Sequence, residues 1–156
     1  MSTLPETRIR RATQEDVGDL DALERAAFPD PWPEVLLASE LRLSASLLWL
    51  AREGLYGRPL GYASFRMGGG EAELLRLAVD PAVQRRGIGR KLVSHGLVEL
   101  AQRGIQSCFL EVRLDNTPAI ALYETLAFER AGRRRAYYRD GTDALVYARA
   151  LRPITD

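Results

Sequence analysis

Cysteine, histidine and lysine are almost missing from this chain, with one of each among 156 residues. The single cysteine, Cys108, excludes an internal disulfide and any cysteine-cluster metal site. It lies in the apolar run SCFLEV, and reads as a buried, inert thiol rather than a reactive one. The single histidine, His95, falls on the polar side of a predicted helix and is expected at the surface; no histidine-based triad or zinc site is available to it, and no metal is expected. With lysine reduced to Lys91, the basic residues are almost all arginine, and 22 cations against 21 anions leave a formal net charge of +1. Nucleic-acid binding by bulk electrostatics is thereby excluded. No apolar run approaches transmembrane length and the N-terminus has no apolar signal-peptide core, so a cytoplasmic protein without membrane attachment is expected. No repeat, low-complexity tract or linker interrupts residues 1–156, which have the length of one domain with a real core.

What is present is a regular alternation of elements. Residues 7–12 read as a short edge strand, and Thr13 with Asp16 as a capping-box variant opening a helix that runs to Phe28. The three prolines of FPDPWP forbid regular structure until Pro33 serves in the first turn of a second helix. Strands follow at 47–51, 60–67 and 72–79, with connections short enough for an antiparallel meander. Ile88, Leu92, Val93, Leu97 and Leu100 then recur at helical spacing, with Gly104 as the C-terminal cap. A strand over 106–113 completes a βαβ crossover, which requires strands 72–79 and 106–113 to lie parallel. Asn116-Thr117-Pro118 opens a fourth helix, and closing strands span 128–138 and 142–150. These elements make an α/β protein with a mixed sheet.

Three features carry chemistry. The stretch LLRLAVDPAVQRRGIGRK (74–91) passes from strand through turn to a Gly-punctuated basic helix start, which suits either an anionic, phosphate-bearing ligand or mere solvation. Glu111 sits in an apolar central strand, where a carboxylate is paired, hydrated or functional; its partner would be Arg113 or Arg76, its function that of a general base. Asn116 and Tyr123 lie seven residues apart, on one helix face. Asn116 can cap and Tyr123 can be core, or the phenol can donate to a leaving group.

The two segments V-D-P-x-x-Q-R-R-G-I-G-R-K and L-E-V-R-x-x-N-x-x-A-I-x-L-Y resemble the GNAT acetyltransferase superfamily, and within it the RimI-type enzymes that acetylate the N-terminal alanine of a small-subunit ribosomal protein. The resemblance implies the GNAT fold: a mixed, mostly antiparallel seven-stranded sheet with a central parallel pair and four helices. It implies acetyl-CoA as co-substrate, held by Leu77, Ala78 and Val79 at the strand end, by Gln84, Arg85, Arg86, Gly87, Ile88, Gly89 and Arg90 around the pyrophosphate, and by Asn116. It makes Glu111 the base and Tyr123 the acid, and places Trp32, Tyr137 and Tyr138 beside the acceptor. The implied partner is a protein N-terminus, ribosomal in these enzymes, with a monomer compatible and the oligomeric state open. The chain departs from the pattern at Asp30-Pro31, which lengthens the Trp32 loop, at Pro33 in place of Ser, and at Ala127 in place of Gly. The altered loop keeps two other acceptors open, a lysine side chain and a small-molecule amine. A non-catalytic acyl-CoA-binding module is the reading from another class, and retention of Glu111 and Tyr123 stands against it.

Overall fold

The computed structural model describes residues 6–151. In chain order it forms β1 (Thr7–Arg11), α1 (Val17–Ala27), α2 (Glu34–Arg42), β2 (Ser46–Glu53), β3 (Pro59–Gly68), β4 (Glu71–Val79), α3 (Ile88–Gln102), β5 (Ser107–Arg113), α4 (Thr117–Thr125), β6 (Glu129–Arg134) and β7 (Ala144–Ala150), with short 3-10 turns before α1 and α3. The strands make one mixed sheet in the order β1-β2-β3-β4-β5-β7-β6. β4 and β5 pair in parallel from Glu71↔Ser107 to Glu73↔Phe109, as the helical crossover demands. β1–β2, β5–β7 and β6–β7 are antiparallel. Among the described residues no helix is long and apolar enough to cross a membrane. Residues 1–5, where a signal peptide would begin, lie outside the described part.

Packing divides the described residues into two compact units, one of residues 6–65 with Arg76–Gly96, the other of Arg66–Leu75 with residues 97–151. In the first, Leu20, Leu23, Leu37, Leu48, Leu50, Tyr62 and Ala78 form the core, with Phe28, Trp32 and Leu41 packed against it. The start of α1 is fixed by Asp16, whose carboxylate takes the Thr13 N–H (2.7 Å) and both terminal nitrogens of Arg10 (2.8 Å each). The Arg10 hydrogen bonds hold the Asp16 pKa down at about 2. Pro33 is the cap of α2 rather than a residue of its first turn; the helix begins one position later. Gly96 lets α3 approach β3, since a Cβ there would stand 2.3 Å from the Phe65 ring. His95 is half-buried, not on the surface: its ring meets Trp49 edge-on at 4.5 Å between centroids, so α3 buries a wider face than the apolar spacing indicated.

In the second unit Cys108, Leu110 and Val112 are buried and alternate with half-buried Ser107, Phe109, Glu111 and Arg113 along β5. Burial pushes the Cys108 thiol up to about 12, as an inert core cysteine requires. Gly104 (φ 80°) ends the chain's longest helix, with Ile105 N–H donating to Leu100 O at 3.0 Å. The end of α4 is made by Ala127 at φ 65°, with Phe128 N–H returned to Tyr123 O at 3.0 Å. An alanine in left-handed backbone costs about 1–2 kcal/mol, so Ala127→Gly is expected to raise the stability by ~1 kcal/mol net of the added chain entropy. Denaturant midpoints measure this; an unchanged midpoint would mean that the turn carries no strain.

The strand expected over 128–138 ends at Arg134. Ala136 adopts φ 51° and gives its N–H to Asp143 Oδ1 (2.8 Å), so the backbone leaves the sheet, and Tyr137 and Tyr138 lie in a loop rather than on a strand.

Candidate active site

In the first unit, β4 delivers half-buried Leu77 and Val79 and buried Ala78 at its end. The Asp80 carboxylate accepts the Ala82 N–H (3.0 Å) and starts the 3-10 turn Pro81–Val83. The chain then reverses through Arg85 (φ 69°) and Gly87 (φ 76°) before entering α3. The Lys91 N–H donates to Gly87 O at 3.1 Å. The amides of Ile88, Gly89 and Arg90 precede that bond and have no acceptor within the helix. Gln84, Arg85 and Arg90 are exposed, whereas Arg86 stands 3.6 Å from Glu53 and is partly neutralised. Converging amides at the positive end of a four-turn helix, with two exposed guanidinium groups, fit a pyrophosphate. Among the described residues, no group of three or more His, Cys, Asp and Glu side chains could hold a metal ion.

Glu111, in the second unit, pairs with neither Arg113 nor Arg76. Its Oε1 lies 3.1 Å from Arg134 Nε, and the Tyr137 hydroxyl donates to its carboxylate. Arg113 is engaged by Asp140 (2.6 Å), Thr142 Oγ1 (3.0 Å) and Asp115 (3.2 Å), and Arg76 belongs to Glu24. The Arg113 guanidinium also lies over the Tyr138 ring at 4.8 Å, so one arginine ties the 135–143 loop to the end of β5. Tyr137 and Tyr138 meet edge to face at 5.2 Å. Hydrogen bonding to Glu111 raises the Tyr137 pKa; burial, and then the Glu111 charge, raise that of Tyr138.

Tyr123 is buried on α4 with its ring edge-on to Phe128 at 5.9 Å. Burial first, then the neighbouring Cys108 and Tyr138, push its pKa up, so the phenol keeps its proton throughout the neutral range. The second unit thus gathers Glu111, Tyr137 and Tyr138 into one set, with Tyr123 within electrostatic reach of Tyr138. Asn116 is exposed at the start of α4, where its Oδ1 accepts the Ala119 N–H (3.3 Å) in the manner of a cap. Trp32, in the first unit, gives its backbone N–H to Glu24 Oε1 at 2.7 Å and lies under the Arg76 guanidinium.

Two residues at this site escape sequence reasoning. Arg134 is one of a run of arginines with nothing to single it out, and it reaches Glu111 across β7, which lies between β5 and β6. Glu73 has its pKa raised by burial and by the charge of Glu111, so a second carboxyl lies within electrostatic reach of the first. The polar alternation of AELLRL around position 73 was the available signal.

Residues 17–128 match the acetyltransferase (GNAT) family. The chain is 40% identical over 129 residues to the ribosomal protein bS18-alanine N-acetyltransferase of Escherichia coli (strain K12), covering 81% of this chain and 85% of that one. It is also 40% identical over 144 residues to the N-alpha-acetyltransferase RimI of Mycobacterium tuberculosis (strain H37Rv), covering 88% of each. The crystal structure of the ribosomal-protein-S18-alanine N-acetyltransferase from Escherichia coli matches with a TM-score of 0.87 and 34% identity over 97% of both chains.

Proposed function

This chain belongs to the GNAT family of acetyltransferases, and from that premise we propose that it transfers an acetyl group from acetyl-CoA to the N-terminal α-amine of a protein, with alanine first and a small-subunit ribosomal protein as the natural acceptor. The observation that carries the acceptor class is the 40% identity, across four fifths or more of the chain, to two enzymes named for N-terminal acetylation. Such an acceptor places the enzyme in the cytoplasm, working as one catalytic domain.

The residues divide the work as follows. The amides of residues 87–90, with Arg85 and Arg90, hold the pyrophosphate; the β4 end at Leu77–Val79 hydrogen-bonds the pantetheine arm, and an N–H near Val79 stabilises the developing oxyanion. Asn116 adds a further cofactor contact from the start of α4. Trp32, Tyr137 and Tyr138 line the acceptor side. Glu111 accepts a proton from the ammonium, directly or through water, and the freed amine attacks the thioester carbonyl. Tyr123 donates to the departing sulfur.

The energetics suit an α-amine. With a pKa of about 8, its deprotonation at pH 7 costs ~1.4 kcal/mol, against ~4.6 kcal/mol for a lysine near 10.4. A half-buried carboxylate is a sufficient base for the first task and a poor one for the second.

A peptide panel tests the reading. Peptides differing only in the first residue, one peptide with a blocked N-terminus and an internal lysine, and a polyamine are offered with acetyl-CoA. Alanine-initiated peptides are expected to release CoA fastest, with the blocked peptide inert. Preference for the lysine or the polyamine would transfer the enzyme to those acceptor classes; CoA release with none of them would leave an acyl-CoA-binding module.

A further inference from the structure

Glu24 on α1 is fully buried, which an unpaired carboxylate does not tolerate. Three groups converge on it. Arg76 on β4 grips both oxygens, with Nη2 to Oε1 at 2.7 Å and Nε to Oε2 at 3.0 Å. The Tyr62 hydroxyl on β3 donates to Oε2 at 2.6 Å, and the Trp32 backbone N–H to Oε1 at 2.7 Å. Arg76 reaches further: its Nη2 donates to Asp30 O at 3.3 Å, and its guanidinium lies 3.8 Å from the Phe28 ring centroid and 5.0 Å from that of Trp32.

Stability does not account for this arrangement, because a buried ion pair is commonly replaceable by apolar side chains without loss. What apolar side chains cannot supply is direction. In the segment Phe28-Pro29-Asp30-Pro31-Trp32-Pro33 the three prolines have no N–H, so after Phe28 only Asp30 and Trp32 carry backbone donors. One of those two donors goes to Glu24, and the carbonyl of the inserted Asp30 goes to Arg76. The fork and flat face of a guanidinium are needed to hold a carboxylate, a carbonyl and two rings at once.

We propose that Arg76, held by Glu24 and Tyr62, is a positioning residue that fixes the Phe28–Trp32 loop and so sets how the enzyme receives its amine acceptor. The inference rests on the reading of Trp32 as an acceptor-side residue. It extends that reading to three residues on α1, β3 and β4 that do not touch the reacting atoms. Arg76 immediately precedes Leu77, so the residue that fixes the loop and the strand end assigned to the pantetheine arm are one continuous piece of backbone.

The chain has two tryptophans, Trp32 in the loop and Trp49 in the core, so incorporation of 5-fluorotryptophan gives two fluorine resonances, assigned with Trp32→Phe. Two variants are compared with wild type: Arg76→Lys, which keeps the charge and loses the fork, and the double variant Glu24→Met/Arg76→Met, which removes both buried charges. In each, the Trp32 resonance is expected to shift or broaden while that of Trp49 stays in place. With the amine that the wild type accepts best, KM for the amine should rise about tenfold or more, with kcat and KM for acetyl-CoA within about twofold. An unmoved Trp32 resonance, an unchanged amine KM, or a fall in kcat alone would each overturn the proposal. A wild type that acetylates no amine would refute the proposed function instead, and the Trp32 resonance would still decide whether Arg76 fixes the loop.

Discussion

Tyr123→Phe is expected to lower kcat about 10²-fold or more, with acetyl-CoA affinity unchanged within about twofold. The substitution removes one oxygen and keeps the ring, so the edge contact with Phe128 survives and the fold is retained. The hydroxyl matters because burial raises its pKa above the ordinary 10. A group with a raised pKa is protonated at every pH below that value, so Tyr123 is a donor over the whole working range and adds no limb of its own to the neutral pH profile. The same shift makes it a weak acid. A free thiol titrates near 8.5, so full proton transfer from a phenol above 10 is uphill by at least ~2 kcal/mol. In the proposed mechanism Tyr123 is therefore chiefly a hydrogen-bond donor whose bond strengthens as charge builds on sulfur, the kind of contact whose loss costs two to three decades of rate. Steady-state kinetics against both substrates measure the effect. An unchanged kcat would return Tyr123 to the core, beside Phe128, as a packing residue.

The elements that such an account needs were legible wherever the determinant is local. Gly104 and Leu100 end α3, Asn116 and Pro118 open α4, and the βαβ order makes β4 and β5 parallel; each follows from residues a few positions apart or from connectivity. What escaped depends on register between distant segments. Glu111 faces Val146, which faces Gly132, and a bulge between Arg130 and Gly132 sets that alignment. The row beyond Glu111 therefore ends on a residue with no side chain, and Arg134, two positions along, can reach back to the carboxylate. No periodicity in the sequence encodes that bulge. The loop holding Tyr137 and Tyr138 failed for a related reason: alternation continues past Arg134, but Ala136 adopts a backbone conformation that residue preference argues against. Its compensation, the Asp143 carboxylate on the Ala136 N–H, comes from seven residues away. The Glu24–Arg76 pair joins positions 52 residues apart and was equally out of reach.

Glu111→Gln is expected to lower kcat at pH 7 about 10²-fold and to move the ascending limb of the pH–rate profile to the pKa of the amine itself, near 8. Gln keeps the shape and can still accept from Tyr137, but it takes no proton; only about a tenth of the acceptor has deprotonated unaided at pH 7, and the proton transfer that a base supplies in the transition state is lost as well. The ion pair with Arg134 does not obstruct the base role. The Arg134 side chain is 58% exposed, and pairs so open to water contribute only about 0–1 kcal/mol, so an incoming ammonium can displace the guanidinium at little cost. Glu73 lies within electrostatic reach of Glu111, and two neighbouring carboxyl groups together favour a cation at the acceptor position. If Glu111 served only its ion pair, Gln would cost at most that small amount of stability and would leave both kcat and the pH profile as in wild type. Rate and profile moving together is the signature of a base; stability moving alone is the signature of a salt bridge. The two outcomes are separated by the same titration of kcat from pH 6 to 9, run on variant and wild type with one alanine-initiated peptide.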